Sequence, residues 1–280
     1  MRARSAPSRL RENDRPGVGR RPAGRSRIIV WIAVAAVAVL GAGGFLTFAA
    51  VTASAGAPIA ERPAPDATVL TVDRIPVPFR ELALYLARDR SGVVAEYQSR
   101  GANIGSAAFW QTPFDGVTPA RTLVQKARDD VVRLHTQLRI AATAHLDVPQ
   151  TYDELVRAWQ NENARRANLL DKGQPVYGPQ QFSESDFIDY LLGNLGQEAQ
   201  TGLVAQGILD GSDSAARAYY RTHADRFSGP YESVQQQVIL RMLDEQYQHL
   251  IDEKTAAASV ATTPLLEALP RYTCLADGSC

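Results

Sequence analysis

Residues 28–50, IIVWIAVAAVAVLGAGGFLTFAA, run for 23 positions without a charge and constrain this chain more than any other feature. As a helix the run reaches about 35 Å, enough to cross a bilayer core of about 30 Å. Backbone groups in lipid must bond one another, so a helix is the form expected. The preceding arm, 1–27, holds nine arginines against Glu12 and Asp14. Positive charge stays on the cytoplasmic side, which puts the C-terminal bulk outside. Trp31 lies near the inner boundary, where aromatic rings are favoured. The competing reading is a cleaved signal peptide, because Ala53-Ser54-Ala55 has the small-x-small form of a cleavage site. The apolar run is longer than the usual core of about 7–15 residues, which favours a retained anchor. Both readings place the bulk outside the cytoplasm, and the expected location is a single-pass cell-membrane protein with its N-terminus inside.

The charge balance beyond the arm separates two explanations of those arginines. The whole chain has 30 basic and 30 acidic residues. Without the arm, 21 basic and 28 acidic residues remain, a net of −7. A basic arm next to an acidic body fits a topology signal better than a nucleic-acid site, so no nucleic-acid partner is expected.

Residues 51–67 are small, proline-rich and aperiodic, and read as a linker. ATVLTVDRIPV then gives the clearest β signal, a short strand or loose hairpin in which Pro76 and Pro78 require an edge. From Phe79 the pattern turns helical, with Leu82, Leu86, Val93 and Tyr97 on one face. Thr118-Pro119 marks a helix start, N-cap then first-turn proline. Leu123, Ala127, Val131, Leu134, Leu138 and Ala141 continue it as one stripe to about His145. Thr151-Tyr-Asp-Glu154 and Ser183-Glu-Ser-Asp186 have the form of capping boxes opening two more helices. Gly193, Gly196 and Gly202 weaken the second by about 1 kcal/mol each relative to alanine, and either permit close helix contact or break it. A turn at 210–214 precedes AARAYYRTHADRF, and a long helix runs from Tyr231 to about Ala257. The fold class read from this is mainly α, with a short N-terminal β element and a long C-terminal helix. The body spans 68–257, followed by a tail at 258–280.

WQNENARRANLLDKGQPVYGP, at 159–179, is the densest polar cluster. On its helix Leu155, Trp159, Arg166 and Leu170 share a face, with Asn163 beside them. An asparagine and an arginine on an otherwise apolar stripe need partners. The following segment, with Gly173, Pro175, Gly178 and Pro179, forms neither helix nor ladder, and its carbonyls need donors. The expectation is a structural clasp: Asn163 and Arg166, with Glu162 holding Arg166 by charge, tie the Lys172–Pro179 loop, including Tyr177, to the helix. The alternative is an anion or substrate site built on Arg165 and Arg166.

Catalytic signals are weak. His135, His145, His223 and His249 are scattered and read as surface or capping residues. No HExxH, CxxC, P-loop or Gly-x-Ser-x-Gly occurs, so no metal, nucleotide or other cofactor is called for. Cys274 and Cys280, an even pair outside the cytoplasm, read as a disulfide closing a small C-terminal loop; free thiols or a bond to another chain are the alternatives. Phe109, Trp110 and Phe114 lie in a glycine-rich stretch. They either line an apolar groove for unfolded chains, with Trp159 and Tyr177 as further contacts, or plug the core from a loop.

Several of these residues together resemble the N-terminal domain of SurA-type extracytoplasmic foldases. The likeness rests on VDRIPVPFREL as a strand-turn-helix start, the long helix after Trp110, a Trp-x-x-x-Asn-x-x-Arg…Tyr-Gly-Pro pattern at 159–179, and Tyr219-Tyr220…Phe227. It covers about 68–257. Asp73 stands where the family commonly has Asn-Gly-type turn residues, which points to a looser opening hairpin. The resemblance implies a helical chaperone module, often joined to a parvulin-type prolyl isomerase. Only Ser228-Gly229-Pro230 stands where that roughly 90-residue domain would sit, so isomerase activity is not carried over.

The resulting expectation is a membrane-anchored, non-catalytic protein that binds unfolded or secreted polypeptides in an apolar crevice. An envelope scaffold with one defined partner is the alternative, and a prolyl isomerase the last.

Overall fold

The computed structural model describes residues 57–280, which are mainly helical with one small sheet. The expected membrane span at 28–50 and the basic arm lie outside the described residues. Among the described residues no helix is long and apolar enough to cross a membrane.

The sheet begins with β1 (Thr68–Val72) and β2 (Ile75–Pro78). Asp73 and Arg74, between them, both take positive φ, 48° and 72°, the pattern of a two-residue hairpin turn whose twist suits the strands. The opening hairpin is therefore tight, not loose. Asp73 supplies the reason: its Oδ1 accepts from the Ser259 amide at 2.9 Å, and its own amide donates to the Ser259 carbonyl at 2.7 Å. Both prolines fall on β2, an edge strand of the order β2-β1-β3, where a missing donor is tolerated.

The third strand, β3 (Val260–Thr262), pairs antiparallel with β1 and lies in the segment expected to be a tail. The same segment carries α7 (Pro264–Ala268) and α8 (Thr273–Asp277), and Leu266, Leu269 and Leu275 are buried in the main core. There is thus no structural break at 257. Arg90 reaches across to the Ala276 carbonyl at 2.6 Å and lies over the Trp110 ring at 4.4 Å. Ile59, in the segment read as a linker, bridges to Tyr272, so residues near it are also tied to the body. Cys274 and Cys280 are joined by a disulfide.

Two long helices form the centre: α1 (Phe79–Ser99) and α2 (Pro119–Thr143). The stripe of Leu123, Ala127, Val131, Leu134, Leu138 and Ala141 is buried along its whole length, and α1 is the main partner of α2. Thr118 caps α2 by accepting from the Arg121 amide, with Pro119 at the first turn. A capping box between Thr151 and Glu154 opens α3 (Tyr152–Asp171). Ser183 caps α4 (Glu184–Ala205). α4 runs unbroken through its three glycines, and Gly202 shows why one is needed: a Cβ there would stand 2.7 Å from the Ala144 carbonyl oxygen. Close contact, not a break, is what that glycine permits.

Then come α5 (Asp213–Thr222) and α6 (Tyr231–Ala257). α6 serves two cores. Tyr247 and Ile251, in its C-terminal half, join the main one. Tyr231, Val234, Val238 and Met242, in its N-terminal half, form a separate cluster with Ala216 of α5. Tyr219, Tyr220 and Phe227 pack on that smaller cluster.

Candidate functional site: a clasped loop and an adjoining pair of depressions

Arg166 is 3% exposed in the C-terminal half of α3, and its side chain is bonded on both sides. Its Nε donates to Glu162 Oε1 at 2.8 Å, while Nη1 donates to the carbonyls of Tyr177 at 3.0 Å and Pro179 at 2.6 Å. The guanidinium lies 4.2 Å from the centre of the Phe182 ring, which stacks on Tyr190 at 4.7 Å. Glu162 also takes two bonds from Arg165, both 2.7 Å. Arg165 first, then Arg166, hold its carboxyl below the ordinary range. A planar fork that meets two carbonyls, one carboxylate and an aromatic face is a role for arginine that lysine cannot fill.

Asn163 acts one step further along than expected. Its Nδ2 donates to the Phe182 carbonyl at 3.0 Å and its Oδ1 accepts from the Phe182 amide at 2.8 Å. Trp159 Nε1 donates to the same carbonyl at 2.9 Å. Asn163 therefore grips Phe182, beyond the Lys172–Pro179 loop, and Trp159, half-buried, is part of the same grip. Tyr177 contributes only its main chain: its side chain is 88% exposed. Phe182 and Tyr190 complete the cluster, and only their spacing to a capped helix start marks them in the sequence.

The other aromatic candidates are placed apart from this cluster. Phe109 and Trp110 are 5% and 7% exposed and belong to the core. They plug its end from a 3₁₀ turn, with Phe109 edge-on to Tyr97 at 6.2 Å. Phe114 is half-buried against Tyr97 and beneath Arg100. As contacts for a client chain, Phe109 and Trp110 have no surface to offer.

His135 is not a surface residue. It is buried between α1 and α2, with Nε2 2.9 Å from Oε1 of the equally buried Glu81. Among the described residues Glu81 Oε2 has no hydrogen-bond partner. Further along α1, burial and then the neighbouring Asp130 push the Asp89 carboxyl up to about 6. The helical spacing of 81 and 89, both interrupting an apolar face, was the available signal for this polar seam. Among the described residues no group of three metal-ligating side chains occurs.

A pair of depressions adjoins where α2, α4, α5 and α6 meet. The first, about 250 Å³, has a floor of Thr136, Ile140, Leu203 and Leu250, with Asp73, Arg139 and Lys254 at its mouth. Asp73 and Arg139 form an ion pair there. The second, about 640 Å³, is lined by Leu209, Ala218, Tyr219, Met242 and Leu250, with Asp210, Glu245 and Glu253 on its rim. Ile208 and Leu250 line both. Of these, Ile208 is 46% exposed. The α6 residues of the two depressions, among them Met242, Gln246, Leu250, Glu253 and Ala257, recur at helical spacing and so form one face of that helix. The nearby Tyr219 hydroxyl first, then Arg226 at 2.9 Å, hold the Glu245 carboxyl below its ordinary range. Chemically, the arrangement offers apolar surface with charge at its edges and no paired nucleophile and base.

Comparison with known protein families, with characterised proteins and with solved structures returns no match.

Proposed function

We propose that this chain is a membrane-tethered, extracytoplasmic protein that binds extended polypeptides without chemistry. In this reading residues 28–50 anchor it, the arginine arm stays in the cytoplasm, and the helical body, built in the manner of a SurA N-terminal domain, holds unfolded or secreted chains. The observation that carries the reading is the adjoining pair of depressions with Ile208 exposed between them. Apolar surface left open at the meeting of four helices supports reversible adhesion of apolar side chains, because burying them releases water from both partners. Its location moves the binding surface away from Phe109 and Trp110.

The test uses the full chain in detergent micelles with a thermally unfolding secreted enzyme, followed by light scattering. Suppression of scattering, reduced at least severalfold by Ile208→Glu, is the expected result. Unchanged scattering at every ratio rejects the proposal. Tyr177 favours the second reading, an envelope scaffold with one defined partner, because a rigidly held loop presents a single aromatic side chain to solvent. Capture by the full chain separates the two: many secreted proteins under the first, one dominant partner lost with Tyr177→Ala under the second.

A further inference from the structure

We infer that the adjoining depressions take one extended segment with opposite charges at its ends: a basic residue beside Asp210, Glu245 and Glu253, an apolar run across Ile208 and Leu250, and an acidic residue beside Arg139 and Lys254. This rests on the polypeptide-binding reading above and names the class of segment that site selects. The charged groups are divided by depression. The larger one is rimmed by three carboxylates, with His249 beside them. The smaller one has two cations against the single carboxylate of Asp73. Asp73 neutralises Arg139 within the smaller depression, so its net positive charge rests on Lys254. The two other ion pairs do not cancel the division. Arg226 meets Glu245 at 2.9 Å, and Lys254 meets Glu253 at 3.1 Å, but both pairs are solvent-facing, with side chains about half exposed. Exposed pairs of this kind are weak and exchange with an incoming charge at little cost.

Length follows from α6, which lies along both depressions. From Met242 to Ala257 the helix rises about 22 Å, the reach of roughly six or seven residues of extended chain. Alternate side chains of such a segment would face the floor, where the smaller depression's 250 Å³ accepts one large aliphatic or aromatic group. Main-chain direction is left free by this arrangement; charge at the two ends decides which way a segment lies.

The test measures binding of fluorescein-labelled ten-residue peptides to the full chain in micelles by anisotropy. Four peptides share one apolar centre and differ in their flanks: Lys and Glu at opposite ends in either order, Lys at both ends, and Glu at both ends. Both dipolar peptides are expected to bind about fivefold more tightly than either like-charged peptide at 20 mM salt, with the difference gone at 0.5 M. The double variant Glu245→Gln/Glu253→Gln should close the gap between the dipolar peptides and the Glu-flanked one. Lys254→Gln should close it for the Lys-flanked one; an unchanged thermal melt of each variant shows that the body is intact. Equal binding of all four peptides overturns this inference and leaves the polypeptide-binding reading standing. Failure of every peptide to bind overturns both.

Discussion

Arg166 shows how one buried charge can organise a segment without secondary structure of its own. Between α3 and α4 the chain passes Gly173, Pro175, Gly178 and Pro179, and its carbonyls must bond to something other than a ladder. The guanidinium supplies two of those bonds and stacks on Phe182, while Glu162 balances its charge. Arg166→Ala removes donors from two carbonyls and the aromatic contact together, so a loss of about 2–4 kcal/mol is expected in urea unfolding of the full chain. Arg166→Lys should recover little, because one ammonium cannot span both carbonyls and Glu162 in a plane. Equal stability of wild type and Arg166→Ala would remove the clasp from the account. Asp89 gives a prediction of the opposite kind. Burial, then Asp130, raise its carboxyl from 3.8 to about 6, opposed by Lys126 and Arg88. The folded state therefore holds that proton more tightly than the unfolded one. The associated stability is present below about pH 4, falls as pH rises through about 6, and is gone above it. Asp89→Asn should flatten that decline and stabilise the protein at pH 8 by about 1 kcal/mol, read from urea midpoints at pH 4.5 and pH 8.

Whole elements were legible in the sequence wherever period and caps agreed. The α2 stripe, its Thr118-Pro119 start and the Thr151–Glu154 box are local signals, and each needs only its own neighbours to act. What was not legible depends on partners distant in sequence. Nothing near Asp73 announces that Ser259 will hold its turn, and nothing near His135 announces Glu81, 54 positions earlier. The depressions were hidden for the same reason: Ile208, Leu250 and Arg139 meet only once four helices have packed. The glycines of α4 show both cases within one element. Gly193 has open space where a Cβ would go, so Gly193→Ala should stabilise by about 0.5–1 kcal/mol through helix propensity alone. Gly202 faces the Ala144 carbonyl at 2.7 Å from that position, so Gly202→Ala should destabilise despite the same gain in propensity. Opposite signs in thermal unfolding of the two variants are the expected outcome; matching signs would mean that α4 does not meet the end of α2 as described.

At the scale of the whole molecule, the C-terminal segment decides whether the helices form one stable body. Read from composition alone, 258–280 resembles an appendage, because its elements are too short to show a period. In the fold it closes the sheet as β3, inserts Leu266, Leu269 and Leu275 into the main core, and receives Arg90 from α1. Full burial of a leucine contributes about 1.5–3 kcal/mol, so the three together weigh about as much as the entire net stability of a typical domain. Truncation after Ala257 should therefore leave a chain with helical circular dichroism but no cooperative thermal transition, a sharper outcome than loss of a tethered tail. Removing the disulfide alone is a much smaller change, since the loop it closes holds five residues and constrains the unfolded chain little. The Cys274→Ser/Cys280→Ser variant should keep a cooperative transition at a modestly lower temperature. If the truncated chain melted cooperatively near the full-length temperature, the core would have to lie within 68–257, and the packing of the last 23 residues would count for nothing in stability.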